Sequence, residues 1–407
     1  VGVERLSRKR HERMTIDGRA LISGSGIAGL TLAICLKEYG HNPVVVERSP
    51  ALPDEGYMMD FYGSGWDVAE RMGLTDKLRA LRYPIDRLQF VNSDGKPYTS
   101  VPISRIKRAL DGKYAYVRRP DLVRVLYDRA EALGVEFRFG TEIADLREQE
   151  THVDVTFDDG SESEFVLVFG ADGVHSGVRR LMFGDENQFA RVLGAYAAAF
   201  HIGDHDFPTG RFAQIHEEPN RVAFYYPLGE RKLDATFVFR LDEVDVPPEQ
   251  QLSFVQRAFK GAGWIGEALL SSYKGSAPLY FDTLTQIAIP RWSRGRVTLL
   301  GDACGCLTLL AGQGAHMAMA GAYILAQELQ RYDGNYVAAF ASYEAMMKPA
   351  IAERQEDAAA FANVFIPTAQ SKPWLRRLVI GTAFNPLVLP FAFKAFGAQS
   401  ILEDEEV

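Results

Sequence analysis

The sequence predicts an α/β chain: a Rossmann-type nucleotide-binding domain, interrupted by an antiparallel sheet and continued by C-terminal helices. Three observations predict it. An apolar strand near the N-terminus runs through a glycine-rich turn into a helix. Two later strands each deliver an aspartate to a tight turn ahead of another helix. Between those two lie segments of alternating polarity, rich in aromatic and β-branched residues.

Arg19-Ala-Leu-Ile-Ser23 reads as the first strand, and Gly24-Ser25-Gly26-Ile27-Ala28-Gly29 leads from it into an apolar helical run ending near Tyr39. In such a turn Gly24 permits the sharp reversal, Gly26 lets a pyrophosphate approach the backbone, and Gly29 lets helix and strand pack closely. The free N–H groups at the helix start favour phosphate. Gly40 closes the helix, and Pro43-Val-Val-Val46 forms a second strand ending at Glu47 and Arg48. The Glu47 carboxylate stands where it can accept hydrogen bonds from the adenosine ribose, and Arg48 joins the candidate cofactor residues.

Further along, Arg119 precedes Pro120 at a helix start, a position favourable to proline. Phe165–Gly170 is an apolar strand that turns at Ala171-Asp172-Gly173, with a helix beginning near Ser176. Arg296–Gly301 repeats the pattern with Asp302, and Gly312-Gln313-Gly314-Ala315 opens a helix through Met317, Ala320, Ile324 and Leu325.

Composition bounds the remaining possibilities. The chain has 407 residues, 47% of them apolar, and a formal charge of -8, which suits a globular core and argues against nucleic acid or anionic lipid as a non-specific partner. The three cysteines, at 35, 304 and 306, cannot form a disulfide framework, so a reducing, cytoplasmic location is expected. Residues 1–17 are expected to be a disordered extension. Leu378–Phe393 is broken by Asn385, Pro386 and Pro390 and is too short to span a bilayer. Cys304-Gly-Cys306 reads as small apolar packing, with a dithiol redox pair as the alternative; no metal-binding set is apparent.

The ordered set of glycine turn, Glu47, Arg119, Asp172-Gly173 and Gly301-Asp302 resembles the class A flavoprotein monooxygenases, the group of para-hydroxybenzoate hydroxylase, over most of residues 18–350. Asp60–Gly73 and Leu309-Leu-Ala-Gly-Gln-Gly314 resemble bacterial members near the tetracycline-inactivating and polyketide-modifying enzymes. The resemblance implies FAD as cofactor, with Arg119 at a phosphate or the flavin edge, Asp172 holding its segment, Asp302 at the ribityl chain, and the helix after Gly312 facing the pyrimidine end of the flavin.

It also implies transient NADPH or NADH, O2 as co-substrate, and hydroxylation of an aromatic or polyketide-type small molecule through a flavin C4a-hydroperoxide. Three positions depart from the family pattern: Gly305 replaces a histidine, Leu309 a proline and His316 an asparagine. These changes motivate a second possibility, an NAD(P)H-dependent flavin reductase or oxidase of the same fold.

On this resemblance the FAD domain covers 18–187 and 284–350, a substrate-binding sheet covers 188–283, and 351–407 holds C-terminal helices and an acidic tail. Strand patterns at 191–202, 211–227 and 233–241 suit that sheet. Because same-parity residues share a strand face, Arg211, Phe212, Gln214 and Tyr225 are the candidate substrate contacts, and His216 the candidate base. The region of Phe365, Trp374, Leu378 and Phe384 is expected to cover the substrate entrance, pack on the body or form a dimer contact. The chain is expected to act as a monomer or homodimer.

Overall fold

Strand Arg19–Ser23 is central to a six-stranded sheet because four of its five residues are buried, leaving both edges to be paired. Asn42–Glu47 and then Glu136–Phe139 lie on one side, and Leu167–Gly170 and Val297–Leu299 on the other. All of these pairs are parallel; the short strand Ser293–Arg294 closes the edge antiparallel. The strand order reverses at Arg19–Ser23, so a crevice opens beyond the carboxyl ends of the strands on either side of it, where such sheets hold their ligands.

The computed structural model describes residues 18–402 apart from 53–55, 82, 84, 204–209, 242–245, 265, 274, 276–278, 386–387 and 389–399. The expected N-terminal extension and acidic tail therefore lie outside the described residues.

Helix Ile27–Glu38 has every residue from Ile27 to Leu36 buried. A helix that is apolar all round needs cover on all sides, and it receives this from the sheet and from helices Arg119–Ala132 and Gly314–Arg331. Gly40, at φ +90°, ends it, and His41 N–H reaches back to Leu36 O at 2.9 Å.

The second sheet has seven strands in the order Tyr280–Ile287, Ala190–Ile202, Lys232–Phe239, Arg221–Gly229, Phe212–Glu218, Arg87–Val91 and Pro97–Pro102. The three strand patterns anticipated in sequence are present, and the segment 211–227 divides into a hairpin at Asn220, whose φ is +65°. The sheet is not purely antiparallel, because Phe212–Glu218 runs parallel to Arg87–Val91. It also draws two strands from before residue 188. Their short, half-polar pattern gave no sign that they would leave the nucleotide-binding part.

Each face of this sheet has its own core. Tyr196, Ala198, Tyr225, Phe237 and Phe239 pack beneath helices Gln251–Ala258 and Gly266–Ser271. On the opposite, inner face, Ala197, Val238 and Leu284 meet Leu309 and Leu310, and Ala213 and Tyr226 meet the ribbon formed by Met58–Tyr62 and Tyr114–Arg118. Helix Tyr336–Phe365 then runs unbroken through Pro349, although a proline in a helix interior removes a hydrogen bond and favours a kink or break. Tyr343, Met347 and Ile351, buried on both sides of Pro349, join the main core and hold the helix in place.

Candidate cofactor and substrate site

The glycine turn separates its three tasks. Gly24 has φ +105°, and a Cβ there would sit 2.5 Å from Ala171 O. A Cβ at Gly29 would lie 2.1 Å from Gly24 O, whereas one at Gly26 would meet nothing within 4 Å. The open space beside Gly26 adjoins a helix start with no side-chain cap, which provides both room and N–H donors for a pyrophosphate.

Glu47 closes the turn from the neighbouring strand. Its Oε2 accepts from Ser25 N and Ser25 Oγ, both at 2.9 Å, and its Oε1 accepts from Ser49 N at 2.9 Å. A carboxylate has about four lone-pair sites, so acceptor capacity remains for ribose hydroxyls. Arg48 is exposed beside it.

The two aspartates do different work. Asp172 takes the Ser176 hydroxyl and, at 3.0 Å, the Val178 N–H, so it fixes the start of helix Gly177–Met182. Asp302 follows Gly301, whose φ is +63° and whose Cβ, if present, would lie 2.9 Å from Ala28 Cβ. The second aspartate is thereby carried against the first glycine turn. Burial raises its carboxyl pKa, and the Arg119 charge opposes that rise. Arg119 also acts on Tyr57 and Tyr280, whose rings meet edge to face at 5.4 Å.

The helix start Gly312-Gln313-Gly314-Ala315 faces the same place. Gly312 is at φ +63°, Gln313 Oε1 accepts from Arg354 Nε at 3.0 Å, and a Cβ at Gly314 would lie 3.9 Å from Asp302 Oδ1. Thr308, a β-branched residue, holds φ +88° with a buried hydroxyl that lacks a partner among the described residues. Strain of this kind persists only where the surroundings impose it. An open cradle, free helix-start donors and an orphaned hydroxyl all suit a bound dinucleotide.

Sequence reasoning missed Arg179. It is 1% exposed and donates to Ala303 O at 2.9 Å, Val174 O at 2.6 Å and Glu186 at 2.7 Å, bolting the Asp172 segment to the Asp302 loop. In the string Gly-Val-Arg-Arg nothing distinguishes it from its exposed neighbour Arg180. Gln355 does similar work without any sequence signal, donating to Ile287 O at 2.7 Å and Cys306 O at 2.8 Å. The loop that lacks the family proline at Leu309 is therefore tied down from the long helix.

The substrate contacts anticipated on the second sheet fall on its other face. Tyr225 stacks on Trp264 at 5.5 Å and donates to Gln214 Oε1 at 3.1 Å. His216 lies 5.9 Å from Trp264 and 3.8 Å from Glu218, with its pKa lowered by burial. Phe212 has the same parity and is half-buried; Arg211 is at the surface, paired with Asp86 at 2.6 Å. Alternation establishes that Gln214 and His216 share a face but not which face, and helices 251–258 and 266–271, further along the chain, claim this one.

The inner face carries a different set. Tyr114 and Tyr116 (5.4 Å), Tyr116 and Tyr226 (5.6 Å), Phe224 and Tyr226 (5.8 Å), and Phe224 and Phe365 (6.4 Å) form a continuous aromatic wall. Tyr57, Asp60, Tyr280 and Asp302 are each half-buried. Asp60 accepts the Tyr114 hydroxyl, and burial raises its pKa against that bond. His316 Nε2 donates to the Asp60 carbonyl at 3.0 Å, and burial lowers the ring's pKa to about 4.

Cys304 and Cys306 point to different carbonyls, Gly301 O at 3.4 Å and Thr285 O at 3.3 Å, and burial raises both thiol pKa values. Packing, not a dithiol, describes them. Away from the cleft, His152, Asp154 and Glu164 place ligand-type atoms within 4.8 Å of one another on the small surface sheet, where His152 and Asp154 pair at 3.1 Å.

A family profile for the FAD binding domain matches residues 17–335. The chain belongs to the class A flavoprotein monooxygenases. A monooxygenase of this family binds FAD, and the glycine turn, Glu47 and the Asp302 loop are the parts that fit it. The chain is 35% identical to an uncharacterised protein of Mycobacterium tuberculosis over 340 residues, 80% of this chain and 88% of that one. It is 31% identical to a flavin-dependent monooxygenase of Legionella longbeachae over 347 residues, 84% and 88% of the two chains. The solved structure of the tetracycline destructase Tet(51) aligns with a TM-score of 0.77 at 29% identity, covering 91% of this chain and 98% of that one. Among the described residues no helix is long and apolar enough to cross a membrane.

Proposed function

We propose that this monooxygenase hydroxylates a flat, electron-rich aromatic or polyketide-type molecule, with NADPH or NADH as the transient reductant. The observation that carries this reading is the cluster of Tyr114, Tyr116, Phe224 and Tyr226 beside Asp60, whose carboxylate accepts the Tyr114 hydroxyl. An apolar slot with few polar anchors suits a planar ring system. Tet(51), by its name, acts on tetracyclines, which have this character.

Bound FAD supplies hydride acceptance and oxygen activation. The chain contributes the rest. Gly26 and the helix start seat the pyrophosphate, Glu47 and Asp302 take hydroxyl groups, and the aromatic wall excludes water. Asp60 replaces His216 as the proton acceptor: it is half-buried beside the tyrosines, the Tyr114 hydroxyl steadies its ionised form, and burial raises its pKa, in the direction that makes a carboxylate a better base. A substrate O–H proton passes to Asp60 and leaves an electron-rich oxyanion on the ring.

The test is reduction of the purified holoenzyme by NADPH or NADH without oxygen, followed by admission of air with tetracycline or a simple phenol. Bleaching of the flavin colour and a product heavier by one oxygen atom are expected. Steady release of free reduced flavin, with every candidate substrate recovered intact, would replace this reading with the flavin reductase.

A further inference from the structure

Helix Pro373–Ala383 buries none of its side chains. Its inner side is nevertheless fastened to the body: Arg376 donates to Glu217 Oε1 at 3.1 Å and to Phe365 O at 3.2 Å, Arg377 lies over the Tyr98 ring at 4.8 Å, and Ile380 joins the cluster of Phe90 and Phe384. The outer side presents Trp374, Leu375, Leu378 and Val379, which are 64%, 44%, 60% and 52% exposed, next to Val364 at 59%. Positions i, i+1, i+4 and i+5 form one continuous helical face. A patch of large apolar side chains on a single face marks a contact surface.

Charge indicates its occupant. Between Asp357 and Glu403 the chain contains no acidic residue, while Lys372, Arg376, Arg377 and Lys394 are all basic, in a molecule of formal charge -8. Lys372 and Arg377 are exposed at the rim of the patch. In a two-fold contact between copies, each patch would bring its own cations against the other's; anionic lipid headgroups would neutralise them.

We propose that this face docks on an anionic membrane surface, with Trp374, Leu378 and Val379 at the headgroup boundary and Lys372 and Arg377 on the phosphates. The helix lies on the bilayer and does not cross it. The acidic balance of the whole chain, which argued against a lipid partner, is a sum over the molecule and does not describe this face. Phe384, which follows the helix, packs at 5.8 Å from Phe90 and joins the cluster of Tyr114 and Tyr226, so the docking helix is anchored, on the side opposite the docked face, to that aromatic cluster.

The experiment is sedimentation of the FAD-loaded full chain with phosphatidylglycerol vesicles and with phosphatidylcholine vesicles. The protein should pellet with the first, less with the second, and less as salt is raised. Trp374→Ser/Leu378→Ser should lower the partition constant by about 100-fold while keeping its bound flavin colour, and Val337→Ser, an equally exposed control, should leave it unchanged. Lys372→Glu, which alters one exposed charge, should weaken the preference for phosphatidylglycerol and covers the case in which the apolar variant fails to load FAD. A wild-type chain that stays in the supernatant overturns the proposal. So does apolar-variant binding equal to wild type, or a charge variant that keeps the preference undiminished. A concentration-dependent dimer dissolved by Leu378→Ser, without vesicle binding, assigns the face to a second copy and overturns it as well.

Discussion

Arg179 donates its Nη1 hydrogen to the carbonyl of Ala303 at 2.9 Å, so one buried side chain ties together two segments that both border the flavin crevice. Arg179→Ala removes three bonds and leaves carbonyls unpaired in the interior. A loss of about 2–3 kcal/mol is expected, held below the fully buried case because Glu186 is about one-third exposed. Chemical denaturation should record that loss together with weaker FAD retention. Arg179→Lys, which reaches fewer of these partners, should fall between the two.

Gly26 and Gly29 should fail differently. Gly26→Ala has open space for its methyl group, so the chain should fold with near-wild-type stability and bind FAD more weakly, by tenfold or so, about 1.4 kcal/mol. Gly29→Ala drives a methyl into the Gly24 carbonyl at 2.1 Å, and soluble folded protein should be scarce. Equal folding yields with equal FAD titrations would contradict this division of labour.

His216 and Asp60 are to be compared by pH profile. His216→Ala empties a packed position beside Trp264 and should cost about 1–2 kcal/mol of stability, leaving the shape of the turnover profile unchanged. Asp60→Asn should remove the limb on which turnover rises with pH. If the histidine variant loses that limb and the asparagine variant keeps it, the base has been assigned to the wrong face of the sheet.

His316 sets a pH dependence of stability. Its folded pKa, about 4, is below the free value of 6.5, so the unfolded chain binds the proton first. The stability contributed by the neutral ring is complete above pH 6.5 and is lost as pH falls toward 4, by about 3 kcal/mol in all. His41 and His216, also lowered by burial, act in the same direction. Comparison with His316→Asn isolates the one ring: between pH 7 and pH 5 the melting temperature of the variant should fall less steeply than that of wild type.

The cysteines near the flavin should be silent. With both thiols buried and their pKa values raised, Cys304→Ser and Cys306→Ser should leave flavin reduction by NAD(P)H unchanged. Ellman's reagent should find no rapidly reacting thiol in the folded protein.

The glycine turn was legible because backbone demands write themselves into sequence. A turn at φ +105° against Ala171 O accepts only glycine, and the strand beside it ends in Glu47, which accepts from Ser25 N in that turn. The inward face of the second sheet was not legible for a reason of the same physical kind. A period of two separates Gln214 and His216 from Ile215 without saying which side faces inward, and the deciding helices, 251–258 and 266–271, lie some 35 or more residues further along the chain. Arg179 and Gln355 escaped notice because their partners are main-chain carbonyls, and a carbonyl leaves no trace in residue identity.

The contact of Gly301 with Ala28 has a consequence for biosynthesis. The crevice needs a floor from the first thirty residues and a wall from beyond residue 300, and that wall is held in place by Gln355 and Arg354 on a helix made later still. A ribosome must therefore have released most of the chain before any place for the flavin exists. Colour should appear only after translation is nearly complete, and the same chain stopped short of residue 301 should emerge colourless however much FAD the cell supplies.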